Sequence, residues 1–134
     1  NNDCFIYDDV LPFLFYLHEK NIKTGTLSDV AYGLENEYAL KDIAPIFKYI
    51  DLPYTSNDVG FRKPNTKGLQ MIAQKLSVDV GQIMFIGDEE KDIICANNAG
   101  AISVLIDRDE KRPKFGQKYR VSNLTELKKM IKWL

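Results

Sequence analysis

An apolar run, Ile83-Met84-Phe85-Ile86, ends at Gly87, and a second apolar run extends from Ile102 to Ile106. Between them, about Lys91 to Ala99 has helical character and stops at Gly100, a frequent residue just past a helix end. Strands without polar alternation are buried on both faces, and a strand–helix–strand order joins its strands in parallel. This segment confines the chain to the α/β class, in which helices cover a parallel sheet.

The remaining residues keep the alternation. Asp8 or Asp9 is expected to cap a helix from Val10 to about Lys20, with Pro12 in its first turn, where a missing N–H has no helical partner. Asn21 ends that helix, and Ile22 to Leu27 reads as a short strand followed by Ser28-Asp29 and a loop through Gly33. A second helical stretch covers Glu37 to Tyr49, Leu52 to Ser56 is a strand, and Asn57 to Lys63 is a loop. Pro64 suits the first turn of a third helix, with Leu69, Met71, Ile72 and Leu76 on or near one face. After Ile106, Asp107 to Lys118 reads as an exposed charged loop and Tyr119 to Val121 as an edge strand. Asn123 or Thr125 then starts a last helix carrying Leu124, Leu127, Met130 and Ile131 at helical spacing. With no repeat or linker, the 134 residues are expected to form a single α/β core domain around a doubly wound parallel sheet.

Composition excludes several classes of function. Eighteen Lys and Arg against nineteen Asp and Glu leave a net charge of −1, which gives no field for gripping a phosphate backbone and argues against a nucleic-acid partner. The longest apolar run, Val10 to Leu17, is too short to cross a bilayer, so no membrane partner is expected. Cys4 and Cys95 form neither a zinc motif nor a disulfide framework, which fits a reducing cytoplasm. The amino terminus has no initiator Met, basic n-region or apolar leader core, and the chain is expected to begin partway through a longer protein.

In parallel α/β sheets, ligands bind beyond the carboxyl ends of the strands. Three strands deliver polar residues there: Ser28-Asp29, then Arg62-Lys63-Pro64 from the loop after the second, then Gly87-Asp88-Glu89-Glu90-Lys91-Asp92. Acidic oxygens suit Mg²⁺, which keeps several waters and shares its ligands with phosphate. A lysine offsets phosphoryl charge, and a hydroxyl orients the group. Gly87 lets the backbone turn so that Asp88 points into the site. Asp88 and Asp92, four apart, share one helix face if the helix begins at once.

In that order, the strand ending in Ser28-Asp29, Gly60-Phe61-Arg62-Lys63-Pro64 and Ile83 to Asp92 resemble the haloacid dehalogenase-like hydrolase superfamily. Ala96-Asn97-Asn98-Ala99-Gly100-Ala101 extends the similarity, which covers about Tyr7 to Leu127. The resemblance implies a Rossmann-like core and Mg²⁺-dependent hydrolysis of a small phosphorylated substrate. It implies that Ser28, with Asp29 beside it, binds the phosphoryl group and that Lys63 stabilises its charge. Asp88 would be a metal ligand, and Asp92 would ligate the metal or orient a metal-bound water.

The family's first motif, a strand followed by D-x-D, is not found in its expected place. Asp107-Arg108-Asp109 is formally D-x-D but follows the last motif, and Thr24-Gly25-Thr26-Leu27 echoes D-G-T-L without its acids. The nucleophilic Asp, its central strand and any cap are therefore expected upstream of Asn1. These 134 residues are expected to be inactive alone, with an empty slot, a strand from elsewhere or a missing upstream stretch between the strands ending at Ser28 and Gly87. A catalytically silent binding or regulatory module is the alternative. A receiver domain is disfavoured because its acidic pair comes before its lysine.

Overall fold

The computed structural model describes residues 6–29 and 41–132, with backbone only at 41–43. Cys4, the loop through Gly33, the start of the stretch from Glu37 and Trp133 lie outside them. The chain divides into two compact units between Arg62 and Lys63.

In the first unit, α1 (Val10–Glu19) buries Phe13 and Leu17. Asp9 occupies the N-cap position, but its side chain makes no capping hydrogen bond. Its backbone is already α-helical (φ −85°, ψ −6°), whereas a capping side chain works from an extended residue. Asn21 ends the helix as expected, in the left-handed region at φ 56°. β1 (Gly25–Ser28) pairs in parallel with β2 (Leu52–Thr55), from Gly25 opposite Leu52 to Ser28 opposite Thr55. A reciprocal clasp fixes that register: the Thr24 N–H donates to Asp51 Oδ2 (2.8 Å), and the Asp51 N–H donates to Thr24 Oγ1 (3.2 Å).

Within the expected second helix, Lys41–Tyr49 is a 3-10 helix. Pro45 lies inside it and has no N–H to give to an α-helical ladder. Thr55 N-caps a short helix, α2 (Ser56–Val59), where the pattern predicts the last strand residue at Ser56 and a loop from Asn57.

In the second unit, α3 (Lys67–Leu76) starts later than Pro64 suggested. The Lys67 N–H donates to Asn65 Oδ1 (2.9 Å), so a local side-chain turn precedes the helix. Leu69 and Ile72 are buried, while Met71 and Leu76 are half-buried. β3 (Met84–Gly87), β4 (Ile102–Ile106) and β5 (Tyr119–Val121) form a parallel sheet in that order. α4 (Glu90–Ala99) connects β3 to β4 and ends at Gly100, left-handed at φ 86°. α5 (Leu124–Ile131) is capped by Asn123, whose Oδ1 accepts the Glu126 N–H at 2.8 Å.

The fold is a mixed α/β architecture with parallel sheets. Central β4 is fully buried from Ser103 to Leu105, with Ile93, Leu69, Val121 and Leu127 among the core residues of the same unit. β3 is half-buried along its whole length. Among the described residues β3 pairs only with β4, and β1 only with β2. Leu105→Ala should cost about 2–5 kcal/mol, because the cavity it leaves is enclosed on every side. Urea unfolding monitored by far-UV circular dichroism measures it, and a loss below 1 kcal/mol, ~1 being a surface-like value, would contradict this placement.

Candidate active site

The centre of the second unit's polar cluster is Asp92, in the first turn of α4. Its Oδ2 accepts the Glu89 N–H at 3.1 Å, which satisfies one of the donors that a helix leaves open at its start. Its Oδ1 accepts from Lys63 Nζ at 2.8 Å. Both side chains are nearly dry, 11% exposed for Lys63 and 7% for Asp92.

The sheet makes room for this pair. Phe85 and Gly87, two apart on β3, share one face of the strand. Lys63 Nζ stands 5.8 Å from the centre of the Phe85 ring, in cation–π range. A Cβ at Gly87 would overlap the Cβ and carboxylate of Asp92. Glycine is thus required here for the space that Asp92 fills.

Asp88 is placed differently. It precedes the helix, whose N-cap is Glu89, so Asp88 and Asp92 do not share a helix face. Its side chain is 57% exposed, and it faces the Arg112 guanidinium, 3.5 Å from Oδ2. Arg112 comes from the loop after β4, where its neighbours Lys111, Pro113 and Lys114 are also exposed.

Asp107 was read as the start of an exposed loop, yet it is 1% exposed. The Lys111 N–H donates to its Oδ1 (3.1 Å), and the Arg112 N–H (2.9 Å) and Arg120 Nη2 (2.6 Å) donate to its Oδ2. Burial alone would raise its pKa. The hydrogen bonds from Arg120, Arg112 and Lys111 and the charge of Arg120 outweigh that, holding the carboxyl below its usual value. Asp107 is therefore a structural staple, which accounts for the stray D-x-D. Spacing along the chain carries no sign of this, because the partners Arg112 and Arg120 are set by the loop's path.

Ser28 closes β1 in the first unit, half-buried, with Asp29 directly after it. The unit's cleft of about 250 Å³ lies among His18, Thr24, Tyr49 and Asp51, at the amino ends of β1 and β2, and so at the end of the strands opposite Ser28. His18 is exposed there, and Cys95 is fully buried in the second unit.

A model of the haloacid dehalogenase-like hydrolases matches residues 1–100. The chain belongs to the haloacid dehalogenase-like hydrolases. It is 31% identical over 103 residues to the glyceraldehyde 3-phosphate phosphatase of Methanopyrus kandleri, covering 76% of this chain and 43% of that protein. With the phosphoglycolate phosphatase of Escherichia coli it shares 32% over 100 residues, 75% of this chain and 39% of the relative. Its fold matches the HAD phosphatase of Thermococcus onnurineus with a TM-score of 0.83 at 26% identity, over 94% of this chain and 58% of that one. The chain spans about two fifths of the length of these curated relatives. Among the described residues no helix is long and apolar enough to cross a membrane.

Asp88 offers a hard cation an exposed carboxylate, and Mg²⁺ needs only one or two such groups because it retains waters. No cluster of three or more acidic, His or Cys residues is present among the described residues, so an all-protein metal cage is not what this donor set fits.

Two outcomes follow from this geometry. Gly87→Ala should expel the Asp92 carboxylate and separate it from Lys63, lowering the urea midpoint, whereas Gly81→Ala, with only an ordinary contact near its Cβ, should not. Equal midpoints for the two variants would contradict it. Asp107 is depressed in the folded chain, so its contribution is complete above the unfolded value near 3.8 and declines as pH falls through the lower folded value. Asp107→Asn should flatten that acid limb of stability against pH, measured by urea unfolding from pH 5 downward (about the upper edge of carboxylate titration). An unchanged slope would overturn the assignment.

Proposed function

We propose that the protein is a Mg²⁺-dependent phosphohydrolase acting on small phosphomonoesters. The observation that carries the reading is the dry Lys63–Asp92 pair closed over Gly87, with Asp88 exposed beside it, in a chain of the hydrolase family. The phosphatase names of its relatives support the substrate class.

In this proposal Lys63 holds its ammonium against the phosphoryl oxygens and offsets their growing charge. Asp92 positions Lys63 by accepting from Nζ while tied to the start of α4. Ser28 orients the phosphoryl group through its hydroxyl, with Asp29 beside it. Asp88 would hold Mg²⁺, with Asp92 contributing through water, and the bound ion would supply charge neutralisation at the phosphoryl oxygens. An Asp outside these 134 residues attacks phosphorus and releases the alcohol, and water then hydrolyses the aspartyl-phosphate. We further propose that the strand bearing this Asp pairs with the open edge of β3 and completes one core domain. The proposed setting is the cytoplasm, supported by Cys95 as a free buried thiol, with neither nucleic acid nor membrane as partner.

The full-length protein should release phosphate from p-nitrophenyl phosphate only with Mg²⁺. Lys63→Met should lower kcat by about 10²–10³, the usual cost of removing one preorganised charge-stabilising group. Asp88→Asn should raise the Mg²⁺ needed for half-maximal rate. A folded full-length protein that releases no phosphate at any Mg²⁺ concentration would leave the silent binding module as the better account.

A further inference from the structure

We propose that Arg112 recognises a second anionic group on the substrate, a carboxylate carried by the part that leaves with the alcohol; this rests on the phosphohydrolase reading. Arg112 lies on the loop after β4, and its guanidinium reaches Asp88 at the end of neighbouring β3, so it stands on the rim where the proposed chemistry occurs. Lys63 is engaged with Asp92 instead.

Three features separate Arg112 from an ordinary surface arginine. Its backbone is pinned within an otherwise exposed loop: the Arg112 and Lys111 N–H groups both end on the buried carboxylate of Asp107, itself held by Arg120. Burying an acid is costly unless its partners are strong, and here three donors fix the point from which the Arg112 side chain leaves. The side chain itself remains 44% exposed. Its contact with Asp88, at 3.5 Å, is far longer than the ~2.8 Å of a well-formed charge-assisted bond, so the guanidinium fork is little used. A planar fork with a fixed root and open donors matches a carboxylate, which it can grip with two parallel N–H bonds. Lys111 and Lys114 lie on the same exposed loop but offer compact ammonium groups without that planarity.

The test compares 2-phosphoglycolate with ethyl phosphate, which has the same carbon count but no carboxylate, using full-length wild-type protein, Arg112→Gln and Arg112→Lys. The wild type should prefer phosphoglycolate in kcat/KM. Arg112→Gln should raise KM for phosphoglycolate by about tenfold or more, the scale of one lost hydrogen bond to a charged group, while leaving ethyl phosphate unchanged. Arg112→Lys should recover only part of the loss, because it restores charge without the fork. Unchanged turnover of ethyl phosphate also reports an intact fold. Equal losses on both esters would overturn the assignment and make Arg112 a positioning residue for Asp88. No change on phosphoglycolate, or no wild-type preference for it, would overturn it as well. A wild-type protein that hydrolyses neither ester would remove the phosphohydrolase reading and this assignment with it.

Discussion

The carboxylate of Asp92 joins the start of its own helix and the end of β3 to Lys63, 29 residues earlier in the chain. One oxygen closes the start of α4 through the Glu89 N–H, the other fixes the Lys63 ammonium, and its body fills the space above Gly87. A buried ion pair is weak evidence of stability, since removing two charges from water costs about what their attraction returns. Its value here is positional. Lys63 ends a flexible four-carbon stem, and without a fixed partner its ammonium would sample many positions. Anchored between Asp92 and the Phe85 ring, it occupies one. Such preorganisation lets a charge stabilise a reacting group without reorganising first.

Much of this was legible in the chain. The apolar runs of β3 and β4 marked a parallel pair because no polar residue could face solvent on a doubly covered strand. Gly100 marked the end of α4 because a left-handed residue was needed there. The spacing of Gly87, Asp88 and Asp92 identified a polar cluster but misplaced its geometry: Asp88 stands before the helix and Asp92 turns back toward the N-cap. Periodicity counts residues, whereas the first helical residue is decided by which side chain satisfies the open N–H groups. The 3-10 stretch around Pro45 and the delayed start of α3 at Lys67 have the same origin, local hydrogen bonding that competes with the regular helix.

Asp88 and Asp107 show how environment divides two residues that look alike in sequence. Each follows directly on a parallel strand, and each stands at the same end of the sheet. Asp107 has three donors and almost no exposure, so its lone pairs are committed to the loop. Asp88 is over half exposed and makes one long contact, so its oxygens remain open to a cation. The loop after β4 creates both conditions. By folding back on Asp107 it consumes one acid, and by extending Arg112 toward β3 it places a positive group beside the other.

The contrast between β3 and β4 follows from the same sheet. β4 has partners on both sides and is buried, whereas β3, with one partner among the described residues, is half-buried although Met84, Phe85 and Ile86 are all apolar. An apolar edge strand with unpaired backbone groups invites another strand, and stable proteins blunt, cover or pair such edges. β3 carries no proline, bulge or charge within its four residues to discourage pairing. The residues that flank its carboxyl end are those of the candidate site. A strand added there would bury Met84 and Ile86 further and would bring its own carboxyl-terminal residue, if parallel, to the rim where Asp88 is open. On the proposed reading, the strand that completes this edge would also complete the site.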